Sequence, residues 1–160
     1  MKAKSIKGKS VQEIQSALDY SLTDGFTPTL AFVFPSFKQD RDAIIEMLNN
    51  KGISIFGATT SGEFIDGEID AGSIAILLLD MHPSHFKILL ENYHQKDAGL
   101  VAKAMTETAM QNFKNPAFIL SHGVIVPQGL MIGEPIIRSI EEVSGRETTI
   151  WGGVQKKLYL

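Results

Sequence analysis

The chain contains no cysteine. That absence excludes disulfides, thiolate metal sites and cysteine nucleophiles, and it leaves the redox compartment open. Long apolar runs are missing too. The longest, Ile74–Leu79 (IAILLL), is far short of the roughly 20 apolar residues a membrane-spanning helix requires. No apolar signal-peptide core occurs in the first thirty residues. Charge of one sign is equally scarce: 15 Lys and Arg against 18 Asp and Glu leave a net charge of -3. Nothing in that balance points to a nucleic-acid partner. The only basic concentration is Lys2, Lys4, Lys7 and Lys9 at the amino terminus, which reads as a solvated leader strand or tail and not a binding arm. A cytoplasmic protein without a membrane or nucleic-acid partner is the expectation.

What is present suits one globular domain. The chain has 160 residues, 44% of them hydrophobic and 21% charged, enough for an ordinary core. Ser10-Val11-Gln12-Glu13 is a capping box, and Val11, Ile14, Leu18 and Leu22 follow at helical spacing until Asp24-Gly25. Thr29–Phe34 (TLAFVF) reads as a buried strand ended by Pro35, and Asp40–Asn50 as a helix with Ile44, Ile45 and Leu48 inward. Ile53–Phe56 (ISIF) is a further strand. The segments GSIAILLLD and HFKILLENY read as two strands, and Met81-His82-Pro83-Ser84 as the turn that joins them in an antiparallel hairpin.

A long helix follows, with Ala98, Val101, Ala102, Met105, Ala109 and Phe113 on one face. AFILS is a strand, Pro135 opens a last helix carrying Ile136, Ile137, Ile140 and Val143, and TTIW is a final strand. The fold class is α/β, with a mixed parallel and antiparallel sheet and flanking helices. Two segments share an order: strand, polar break, helix with an Ile-Ile pair, Gly, strand, aromatic-Gly. The pairs are Ile44-Ile45 and Ile136-Ile137; the steps are Phe56-Gly57 and Trp151-Gly152. This reads either as a degenerate internal repeat of two β-α-β units or as the likeness that any two such units share. Ligands of open α/β sheets bind at the strand carboxyl ends.

The chemistry concentrates at Gly57-Ala58-Thr59-Thr60-Ser61-Gly62-Glu63. The motif lacks the Gly-Lys-Ser/Thr ending of a phosphate loop, and the EFIDGEIDAG after it alternates like a strand or hairpin, not a helix. A nucleophilic hydroxyl needs a base, and no Gly-x-Ser-x-Gly elbow is present. Gly57 and Gly62 admit close backbone approach, Thr59, Thr60 and Ser61 offer hydroxyls, and Glu63 offers a charge for an amine or a water. The set suits a small polar molecule such as an amino acid. Ser121-His122-Gly123 ends the strand of the second unit. One histidine without a partner at metal spacing supports no zinc site, though a single imidazole is enough for axial haem ligation. His82, His85 and His94, with Glu91, read as surface residues.

IFGATTSGEFIDGEIDAGSIAILLLD resembles the signature of the FIST sensory domain, and ILSHGV…II…I…IWGGV is similar to that domain's later segments. The resemblance runs from about Thr29 to Val154. It implies a bacterial or archaeal signal-transduction input domain that senses small ligands such as amino acids and works with a histidine kinase or chemoreceptor partner. Some members are haem-binding nitric-oxide sensors partnered with a histidine kinase. Carried over, the small-residue motif falls on Gly57, Thr59, Thr60, Ser61, Gly62 and Glu63, and the glycine pair on Gly152 and Gly153. His122 stands where the family has a strand-end acid, and QKKLYL stands where further strands follow, so the expected single domain is incomplete after Val154. The reading is a non-catalytic ligand-binding module without a metal. The ligand would lie between the Thr59–Glu63 loop and a Gly152-Gly153 turn, with His122 at the edge. The competing readings are a haem-based sensor, and a hydrolase or transferase using a loop Thr or Ser with His122 as base.

Overall fold

The computed structural model describes residues 1–60, 62–65, 67–93, 96–123 and 132–155. They form a mixed α/β structure in two compact units, Met1–Phe86 and Lys87–Leu158.

In the first unit, strand β1 (Lys2–Gly8) leads into helix α1 (Val11–Ser21). The Ser10 side chain accepts from the Glu13 amide at 3.2 Å, and the Glu13 carboxylate accepts from the Lys9 amide at 2.8 Å. This is the capping box of the sequence, with its carboxylate reaching one residue further back. Strand β2 (Leu30–Pro35), helix α2 (Arg41–Asn50) and strand β3 (Ser54–Gly57) follow. Asp40 caps α2, its Oδ1 accepting from the Ala43 amide at 3.2 Å. Gly52, at φ 70°, takes the left-handed conformation that lets the chain turn from α2 toward β3. The short strands β4 (Glu63–Ile65) and β5 (Glu68–Asp70) pair antiparallel, and β6 (Ile74–Asp80) completes the unit.

The main sheet has the order β1-β6-β2-β3. Strand β6 runs antiparallel to both β1 and β2, whereas β2 and β3 are parallel. Alternation sorts the side chains. Ile74, Ile76 and Leu78 of β6 join Ala31 and Val33 of β2 in a core closed by Ile14, Leu18, Ile44 and Leu48 of the two helices. The other face carries Phe32 and Phe56 in edge-to-face contact, with ring centroids 5.5 Å apart. Of the two readings of the basic amino terminus, strand or tail, it is a strand, and Lys4 is more than a solvated residue. Its Nζ donates to the Ser21 carbonyl at 2.6 Å and to Asp24 Oδ1 at 2.8 Å, and it lies over the Phe26 ring.

The hairpin expected between GSIAILLLD and HFKILLENY does not form. Both edges of β6 are taken by β1 and β2, so no hydrogen-bonding edge remains for a partner that follows it. Pro83–His85 form a single 3₁₀ turn, and residues 86–93 have no regular secondary structure.

The second unit contains helix α3 (Ala98–Asn112), strand β7 (Phe118–Gly123), helix α4 (Gly133–Ser144) and strand β8 (Ile150–Gln155). The two strands are parallel. Ala102 of α3 packs with Ile136 and Ile140 of α4, against Phe118, Leu120 and Ile150. Gly99 brings the helices close: a Cβ there would lie 2.9 Å from Ser139 Oγ. Tyr93 ties the irregular segment to the end of β7, its hydroxyl donating to the Gly123 carbonyl at 2.7 Å. Burial of that phenol raises its pKa above the ordinary value, and the bond to the Gly123 backbone partly offsets the rise.

Strand, helix and parallel strand thus occur twice, as β2-α2-β3 and β7-α4-β8. The aromatic-Gly steps occupy matching positions. Phe56 and Gly57 pair with Phe32 and Val33, and Trp151 and Gly152 pair with Ile119 and Leu120.

Candidate functional site

The carboxyl edge of the parallel pair β2 and β3 carries the motif. Beyond Gly57 the chain keeps running alongside β2. Ala58 N donates to the Val33 carbonyl at 3.1 Å and Thr60 N to the Pro35 carbonyl at 2.9 Å. Phe37 N donates back to the Thr60 carbonyl at 3.3 Å, and Ser36 and Thr60 form an isolated parallel bridge. Ala58–Thr60 is therefore a continuation of the strand, and the amides of Ala58 and Thr60 are engaged by protein carbonyls. They are not donors held ready for a ligand. Gly57 has a packing reason as well. A Cβ on it would come within 1.9 Å of the Val33 carbonyl oxygen, so the neighbouring strand, not a ligand, requires a glycine there.

Beside this extension lies a cavity of about 30 Å³. Val33 and Ile44, both buried, border it on the core side. Ile45, Ile55, Pro35 and Ala58 supply further apolar wall, and Gly57 lines it with backbone. Two half-buried polar side chains complete the lining, Thr59 and Arg41. Arg41 is the first residue of α2 and the one charged residue on the wall among the described residues; its Nε lies 3.5 Å from Asp42 Oδ1. The parallel connection from β2 through α2 to β3 puts the start of the helix at the end of the strands, which is how α/β sheets build ligand sites.

The structure thus brings together Gly57, Thr59 and Thr60. Gly62 is exposed, with open space where a Cβ would stand. Glu63 opens β4, and Ser61 lies outside the described residues. Sequence reasoning missed Arg41, Pro35 and Ala58. The signal available was positional: in a β-α-β unit the first helical residue returns to the strand edge, so a cation at that position belongs on the candidate list.

The remaining candidates lie in the second unit. Gly152 and Gly153 do not form a turn. They are interior to β8, paired with Leu120 and Ser121, because the strand extends past TTIW to Gln155. A Cβ on Gly152 would come within 2.4 Å of the Leu120 carbonyl oxygen, whereas Gly153 has open space. His122, on β7, is 6% exposed. Its Nδ1 lies 3.3 Å from the Gly123 carbonyl oxygen, and its Nε2 would be 3.4 Å from a Cβ on Gly133 at the start of α4. His82 and His85 are exposed on the 3₁₀ turn, their rings 5.6 Å apart, and His94 lies outside the described residues. Among the described residues no group of three or more His, Asp or Glu is placed to hold a metal ion, and no helix is long and apolar enough to cross a membrane.

Comparison with known proteins agrees with the motif. No curated protein and no solved structure matches the chain. Residues 29–157 match the FIST N domain, a span that contains both β-α-β units and the cavity. FIST domains are sensory domains of signal transduction. Matched over most of its length, the chain belongs to the FIST family.

Proposed function

We propose that the chain is a non-catalytic sensory input domain that binds a small ligand in the cleft between β2, β3 and the start of α2. One observation carries this reading: the β-α-β unit ends in a cavity lined by Gly57, Ala58 and Thr59 of the motif and by Arg41. Arg41 supplies a fixed positive charge for an anionic group, Thr59 a hydroxyl, and the aliphatic residues a dry wall. An amino acid offers a carboxylate to the first and a side chain to the last. The signal is a difference in ligand affinity between two conformations, passed to a histidine kinase or chemoreceptor partner in the cytoplasm.

The test is a thermal-shift panel of small amino and carboxylic acids on the full chain, with haem as a separate arm read at the Soret band. A ligand at 100 times its Kd adds about 2.7 kcal/mol of stability, and Arg41→Gln is expected to abolish that gain. The absence of a shift with every acid would overturn the reading.

A further inference from the structure

We propose that the second unit holds a ligand site of its own, at the start of α4 against His122, and that it takes a phosphate group in its protonated form. The site is separate from the cleft of the first unit and does not depend on it.

The start of α4 offers backbone donors. Ile132 occupies the cap position and supplies no side-chain acceptor, whereas Ser10, Asp40 and Asp97 supply one to α1, α2 and α3. Pro135 has no N–H. The first turn is therefore left with the amides of Gly133 and Glu134, which meet no acceptor among the described residues. Two such amides at the positive end of a helix receive the oxygens of an anion. The Glu134 carboxylate stands apart from them, bound to Arg138 Nη2 at 2.6 Å on the exposed side of the helix.

A helix start alone specifies nothing; His122 adds the specificity. Its Nδ1 faces the Gly123 carbonyl oxygen at 3.3 Å, and an acceptor there assigns the proton of the neutral ring to Nδ1. Nε2 is then a bare acceptor on a side chain more than nine-tenths buried, and no donor meets it among the described residues. It points at α4. A Cβ on Gly133 would stand 3.4 Å from Nε2 and 3.7 Å from Cε1. Apart from the chain beside Gly133, no other described atom lies within 4 Å of that point. The glycine thus leaves a space with the ring edge on one side and the free amides of the helix on the other.

Two donors and one acceptor around one space define the ligand. It must accept from the amides and donate to Nε2. A protonated phosphate does both, its bare oxygens accepting and its P–OH donating, and near pH 7 a phosphate group still holds part of its second proton. Sulfate has the same shape and a carboxylate the same acceptor oxygens, but neither carries a proton at that pH. Either would set an oxygen lone pair against the lone pair of Nε2 and leave that buried acceptor unmet.

Calorimetric titration of the full chain at pH 7 with sodium phosphate, methyl phosphate, sulfate and acetate tests the proposal. Phosphate should bind, and sulfate and acetate should bind at least tenfold more weakly. Methyl phosphate distinguishes the sources: its binding supports a phosphate carried on a larger molecule, and binding of inorganic phosphate alone supports the free ion. Gly133→Ala places a methyl group in ordinary contact with the His122 ring, filling the space without straining the fold. It should lose phosphate at least tenfold with an unchanged Tm. His122→Phe should lose it as well, and Gly133→Ala decides if that variant does not fold. Sulfate or acetate binding as tightly as phosphate overturns the proposal, because no shared proton is then needed. Phosphate binding retained in Gly133→Ala, or no phosphate binding by the parent chain, overturns it too.

Discussion

Gly57 lies so close to Val33 of the neighbouring parallel strand that a methyl group on its α carbon would come within 1.9 Å of the Val33 carbonyl oxygen. Gly152 stands in the same relation to Leu120, at 2.4 Å. Each glycine follows an aromatic residue on the second strand of its β-α-β unit. The repeat therefore preserves a steric requirement as well as an order of elements, and the glycine in each unit is needed by the sheet before any ligand is considered.

Alanine at either position must push the facing backbone carbonyl away. Gly57→Ala and Gly152→Ala are expected to destabilise the chain by about 1–3 kcal/mol each, as overpacking does, and to lower Tm by roughly 2–4 °C per kcal/mol in a chain of this size. Gly153→Ala meets open space and should stay within about 0.5 kcal/mol of the parent. Thermal denaturation of the three variants checks the contrast, which fails if Gly153→Ala is as damaging as its neighbour.

The start of α2 serves both stability and the cleft. Asp40 accepts from the Ala43 amide, and Arg41 follows it on the cavity wall. Asp40→Ala should cost about 0.5–2 kcal/mol through the lost cap. It should also weaken ligand binding, because the first turn that positions Arg41 frays. Asp40→Ser retains a capping oxygen and should restore most of both. Urea denaturation and ligand titration on the same samples separate the two effects.

Lys4 joins β1 to the end of α1 through Ser21 and Asp24. The hydrogen bond from Lys4, then that from the Phe26 amide, holds the Asp24 carboxyl below its ordinary value of 3.8. A depressed folded-state pKa gives stability that is fully present above the unfolded value. It is lost as pH falls through the folded one. The stability difference between parent and Asp24→Asn should therefore be constant near neutrality and shrink below about pH 4. Lys4→Met should reduce the difference to the part that the Phe26 amide supplies. Denaturation midpoints between pH 2 and 7 provide the check (a wide range chosen to bracket both values).

Helices and their caps were legible because each signal is local. Ser10 and Glu13, Asp40, and the Gly after each helical run act within a few residues of themselves. The parallel β-α-β units were legible from order and length, and the mixed sheet with them. Strand pairing was not. HFKILLENY has strand composition, but whether it pairs depends on β1 and β2 having already taken both edges of β6, a fact spread over the whole first unit. Gly152-Gly153 looked like a turn for a related reason: glycine pairs favour turns, and only the facing Leu120 carbonyl reveals a strand that needs its glycine. At the candidate cleft, Gly57 and Thr59 of the lining belong to the motif that composition singled out. Arg41 was missed because it is 16 positions before Gly57 in sequence and becomes a neighbour only through the crossover.

The most direct test of the ligand cleft is a backbone amide NMR titration of the full chain with small amino and carboxylic acids. The account predicts that an acid that binds shifts the amides of Arg41, Ala58, Thr59 and Thr60 most strongly, in a saturable way that Arg41→Gln removes. Perturbations centred on His122 and Gly152, or no saturable change with any of the acids, would contradict it.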